Sequence, residues 1–283
     1  MTTENTQSPA SGEPPTTKVI KRHSMATRLW HWINAVALLV LLMSGLQIFN
    51  AHPSLYWGNG SNFDQPLMSI GARMGDDGPM GYTQLAGHEF TTTGVLGWSN
   101  ADGQGQARAF PAWATLPDAQ WLSLGRQWHF TAAWVFGVTL VLYLLYSLIS
   151  RRRRQTIGPH GREFGQIGRT FVEHAKLRFP RVRSYNIIQK LTYLVVLFIL
   201  LPVMILTGLT MSPTMDAAWP WLMTVFGGHQ SARTIHFICA FSLIGFFVVH
   251  LLLVLVSGLF NNLRSMITGG YRVRTADEQA HHE

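Results

Sequence analysis

Four stretches of this chain, residues 30–49, 128–150, 187–211 and 235–260, stay apolar for twenty residues or more. A helix of roughly 20 residues crosses a hydrocarbon core, and a backbone in lipid must satisfy its own hydrogen bonds. The pattern therefore predicts an all-α membrane protein: a bundle of four transmembrane helices, with a large periplasmic loop between helices 1 and 2. Only 13% of the residues are charged and 47% are hydrophobic, which argues against a soluble domain.

The basic residues set an orientation. Residues 151–183 carry nine Arg and one Lys against two Glu, and Lys18, Lys21 and Arg22 precede the first apolar stretch. Such residues stay in the cytoplasm, so both termini are expected there, in a multi-pass protein of the bacterial inner membrane. The 52–125 segment holds six acids against Arg73 and Arg108 and is expected outside. The organisation predicted is a disordered tail (1–17), a membrane domain (18–260) with the 52–125 insert and a basic 151–185 loop, and a second tail (261–283). The first 17 residues are too polar for a cleaved signal. The net charge of +8 gathers beside the spans, where it matches anionic lipid; nucleic acid is not an expected partner.

Four histidines lie within or at the mouths of these stretches: His31, His129, His236 and His250. Ionisable groups at bilayer depth are expensive and mark function. With the N-terminus inside, His31 and His250 share the inner depth, and His129 and His236 the outer. Fourteen residues separate His236 from His250; on a helix that is a rise of about 21 Å and a return to within about 40° of the same face. One helix can thus serve two stacked sites. The pattern predicts two haem b groups, each ligated by two histidines: His31 with His250, and His129 with His236. With both axial positions filled, electron transfer is favoured over oxygen chemistry. The lone Cys239 offers neither a disulfide nor a cysteine metal cluster.

Arg28, Arg126 and Arg233 each stand three residues before one of these histidines, on its water side. Each is a candidate partner for a haem propionate, and each equally a topology anchor. Gly45 and Gly208 are candidates for close approach within the bundle, and Pro202 is expected to kink helix 3. His52, His88, His229, His160, His174, His281 and His282 read as solvated side chains, with His229 also placed to cap or touch the outer site.

The Arg28-Leu-Trp-His-Trp32 and Arg126-Gln-Trp-His-Phe130 runs, with the His236 to His250 spacing, resemble the helix signatures of bacterial b-type cytochromes of the cytochrome b561 and nickel-iron hydrogenase cytochrome b group. That resemblance implies a membrane subunit with two b haems, passing electrons between a catalytic partner and quinone. Tyr185-Asn186-Ile-Ile-Gln-Lys190 is similar to a run in formate dehydrogenase gamma subunits, which implies Asn186 in a quinone site, although Ile188 stands where that family has Gly. The Phe110 to Pro117 stretch resembles a subgroup whose periplasmic partners are molybdopterin oxidoreductases of the sulfite-oxidase type.

Two functions follow as expectations: a di-haem electron-transfer subunit working between a periplasmic redox protein and quinone, or a self-sufficient superoxide:quinone oxidoreductase, against which the long insert argues. The blander reading is a haem-free membrane anchor.

Overall fold

The computed structural model describes residues 17–101, 103–149, 191–192 and 194–274. They fall into two units, Trp30–His250 and a smaller one of Met1–Leu29 with Leu251–Glu283. In chain order the elements begin with β1 (Thr17–Lys21) and α1 (Met25–Asn50). The insert contributes β2 (Ser54–Leu55), β3 (Met68–Gly75), β4 (Gly78–Leu85), β5 (His88–Thr91), β6 (Gly97–Ala101) and β7 (Gln104–Arg108). Helices α2 (Leu122–Ile149), α3 (Leu201–Thr210), α4 (Pro213–Ala218), α5 (Trp221–Val225), α6 (His229–Val256) and α7 (Leu259–Thr268) follow, and then β8 (Gly270–Arg274).

Three of these helices, α1, α2 and α6, are long and apolar enough to cross a membrane. At 26, 28 and 28 residues, they rise about 39–42 Å. Their surfaces are inverted relative to a water-soluble bundle. Val36, Leu39, Trp134, Leu142 and Phe247 are exposed, whereas Ser44, Gln47 and Thr234, with Thr207 and Thr210 of α3, are almost wholly buried. Lipid rewards apolar exteriors, and small hydroxyl residues inside let helices approach and bond to one another.

The expected helix 3, 187–211, begins outside the described residues; what is described of it is helical at 191–192 and from 194 to Thr210. Pro202 enters this helix directly after a π-turn at Val196–Leu200. Proline withholds an N–H and crowds the carbonyl four residues back, and the widened turn is where that conflict is absorbed.

The insert corrects the all-α expectation. Strands β2-β3-β4-β5 form one antiparallel sheet and β6-β7 another. The hairpin turns are written in the sequence: Ala86 and Gly87, at φ 47° and 84°, link β4 to β5, and only a short residue before glycine takes that conformation cheaply. Arg108, 4% exposed, ties the insert to α1. Its guanidinium donates to Phe110 O at 2.8 Å, Asp118 O at 2.7 Å, Thr115 Oγ1 at 2.8 Å and Gln47 Oε1 at 3.3 Å. Below that knot an apolar core joins Phe49 of α1 to Leu55, Ile70, Ala109 and Phe110 of the insert, with Phe237 of α6 against it. A second core joins Ala37, Phe136, Leu140 and Leu201 deeper in the bundle.

In the smaller unit, β1 and β8 pair antiparallel from Thr17↔Arg274 to Lys21↔Gly270. Helix α7 presents Phe260, Leu263 and Ile267 outward and buries Ser265. The 261–283 region is therefore ordered as helix and strand through Arg274, beyond the simple tail expected; residues 1–16 and 275–283 lie outside the described residues.

Candidate functional site

His129 on α2 and His236 on α6 face each other with ring centroids 6.3 Å apart and planes at 60°. Each ring is seated by a neighbouring helix. Behind His129, Nδ1 lies 3.1 Å from Ser44 Oγ and 3.1 Å from Leu41 O. Behind His236, Nδ1 lies 3.1 Å from Thr207 Oγ1 and 3.0 Å from Met204 O. A hydroxyl at one position and a carbonyl three residues earlier form the seat in both cases, so α1 stands to α2 as α3 stands to α6. The glycine following each hydroxyl completes it: a Cβ on Gly45 would meet His129 Cε1 at 3.4 Å, and one on Gly208 would meet His236 Cε1 at 3.4 Å.

These contacts decide the tautomer. Ser44 donates its hydroxyl hydrogen to Val40 O and Thr207 donates to Val203 O, as buried helical hydroxyls do. Both groups near each Nδ1 are therefore acceptors, and Nδ1–H is the donor. The bare lone pair then sits on Nε2, which is the state a metal ligand requires.

His31 on α1 and His250 on α6 form a second facing pair, with centroids 6.5 Å apart and planes at 50°. Trp32 packs edge-on to His31 at 5.2 Å, and Phe246 lies against His250 at 6.2 Å. Beside them Trp30 stacks on Tyr143 at 4.1 Å. Among the described residues no hydroxyl seat stands behind this pair: His31 Nδ1 is buried without a hydrogen-bond partner there.

The arginines have distinct surroundings. Arg233 donates to the carbonyls of His52 and, at 2.8 Å, Ser54, and lies 5.4 Å from the centre of the Phe49 ring, so it clasps the start of the insert. Arg126 lies 5.6 Å over Phe130. In the smaller unit, Arg28 donates to Ile267 O, and its Nε is buried without a partner among the described residues. His52 departs from the solvated reading: its ring stacks on Tyr56 at 5.7 Å and meets Phe63 edge-on, with Nε2 buried and unpartnered. Burial first, and Arg233 second, hold that imidazole below the ordinary histidine range. His229 is the first residue of α6. Asn186, His160, His174, His281, His282 and the 151–185 loop lie outside the described residues.

The seats were missed in the sequence, although a signal was present. Ser44-Gly45 and Thr207-Gly208 repeat a hydroxyl-glycine pair, each with a long apolar residue three positions before the hydroxyl.

Whether these residues suit a haem can be judged from the rings. Metal–nitrogen bonds of about 2.0–2.1 Å place two axial imidazole centroids roughly 6.3 Å apart. Both pairs meet that spacing. Among the described residues no group of three or more His, Cys, Asp or Glu side chains is placed to hold a bare ion. Each pair offers two nitrogens, the axial complement of a metal already held by a macrocycle. A chain with one cysteine cannot form the two thioether links of a c-type attachment, so the class defined is a membrane cytochrome of b type.

The chain belongs to the prokaryotic cytochrome b561 family, whose profile matches residues 22–269. It is an integral membrane, b-type electron-transfer cytochrome, and membership implies haem b. It is 24% identical over 232 residues to the "Putative protein-methionine-sulfoxide reductase subunit YedZ1" of Azospira oryzae, a match covering 82% of this chain and 89% of that protein. No solved structure matches the chain.

Proposed function

We propose that the chain is a two-haem cytochrome b subunit exchanging electrons between a periplasmic redox partner and membrane quinone, in the bacterial inner membrane with both termini cytoplasmic. The carrying observation is the two facing imidazole pairs, 6.3 and 6.5 Å between centroids, sharing one helix fourteen residues apart. His129 with His236 and His31 with His250 hold the two haems. When bound, each haem would supply reversible one-electron chemistry, with the two imidazoles of its pair as the protein's ligands to it.

The protein's own residues orient the ligands, exclude water and position charge. Arg126 and Arg28 are proposed propionate partners; Arg233 combines that candidacy with its hold on the insert. Asn186 is the proposed quinone contact. The β-sheet insert is the proposed docking face for the partner. The Azospira relative is named as a reductase subunit, which supports an oxidoreductase as that partner. The Phe110 to Pro117 resemblance narrows it to a molybdopterin enzyme.

The test is affinity purification of the full chain from native membranes, followed by quinol addition. A co-purifying periplasmic oxidoreductase, and haems reduced by quinol, are expected. Sustained superoxide-driven quinone reduction by the partner-free chain would replace this reading with the self-sufficient enzyme.

A further inference from the structure

The two histidine pairs differ in what stands behind them. His129 donates Nδ1–H toward Ser44 Oγ and Leu41 O, and His236 donates Nδ1–H toward Thr207 Oγ1 and Met204 O, all within 3.0–3.1 Å. Ser44 and Thr207 are fully buried, so no water competes for these bonds. An imidazole that donates from Nδ1 to acceptors gains electron density at Nε2 and becomes a more basic ligand. A more basic axial ligand favours the oxidised metal and lowers its potential. His31 has a buried Nδ1 with no such acceptor, and no hydrogen bond to His250 is present among the described residues.

We infer that Ser44 and Thr207 are positioning residues that, beside the Leu41 and Met204 carbonyls, hold His129 and His236 as Nδ1–H donors and make theirs the lower-potential haem of the two. A single electron shared by the two centres then resides mainly at the His31/His250 pair: one centre is oxidised by one electron, the other reduced by one, and no bond or proton moves. This rests on the two-haem reading above.

The experiment is redox potentiometry, by visible spectra, of the full chain in lipid nanodiscs. Two b-type components are expected in the unaltered protein, and His250→Ala should leave only the lower one. Thr207→Val and Ser44→Ala should each raise the lower component and leave the higher in place. Together they should shift the oxidised-to-reduced ratio at fixed potential about tenfold, ~59 mV for one electron. Thr207→Ser should restore the original value, which a packing role for the Thr207 methyl group would not do. Ser44→Ala only removes atoms and so reports even where Thr207→Val fails to fold. A lower component that stays put in variants retaining both haems overturns the inference, as does loss of the lower component in His250→Ala. Fewer than two haems in the unaltered protein overturns the two-haem reading itself.

Discussion

His129 and His236 come from different helices and meet at 6.3 Å between ring centroids, the spacing two axial imidazoles take around one metal. The space they occupy is set by the absence of a side chain on the helices behind. At Gly208 a first added carbon would already stand in contact at 3.4 Å from the ring, and at Gly45 likewise. Gly45→Val or Gly208→Val must therefore push the imidazole off its partner. The expected result is loss of one haem per chain, measured by pyridine haemochrome on purified protein. Alanine at either site should retain most of it.

Arg108 should matter for a different reason. Arg108→Met leaves the buried Gln47 Oε1 without its donor and takes one of two donors from Phe110 O, which keeps Asn50 Nδ2. One unmet buried acceptor costs about 1–3 kcal/mol, which is the expected loss in the hold of the insert. Limited proteolysis should cut Arg108→Met within 52–125 far faster than the unaltered chain, with the His31/His250 haem still present.

Arg233→Leu separates two roles in one side chain. The guanidinium spans the carbonyls of His52 and Ser54, which one lysine ammonium cannot reproduce in the same planar geometry. Cleavage near residues 52–66 is expected to accelerate in both Arg233→Leu and Arg233→Lys. Haem content should hold at two in the lysine variant, since a cation remains near the His129/His236 haem.

The Arg73 to Glu89 ion pair is a contrasting case. Its side chains are 51% and 37% exposed, so water and salt screen it. Arg73→Ala should change thermal stability by less than about 0.5 kcal/mol, and by nothing measurable at high salt.

The helices and their four histidines were legible because lipid makes hydropathy a strong signal and makes a buried imidazole conspicuous. Depth alone paired His31 with His250 and His129 with His236, and those are the rings that face each other. The insert was not legible as sheet. Its strands are short and glycine-broken, and the alternation in Met68 to Gly75 is weak beside twenty-residue apolar runs, although Gly75-Asp-Asp-Gly78 and Ala86-Gly87 were usable turn signals. Ser44 and Thr207 were hidden because a hydroxyl in an apolar helix usually bonds its own backbone, as both also do. Only the approach of a second helix shows the lone pair that remains. The carbonyl partners of Arg233 were equally out of reach, since backbone acceptors carry no sequence identity.

Whether each facing pair holds one haem is read by counting haem b per chain in His129→Ala and in His250→Ala, each purified and shown to be folded. Two haems are expected in the unaltered protein and one in each variant, with different spectra for the two survivors. Loss of both haems from either folded variant, or of neither, would contradict one haem per pair.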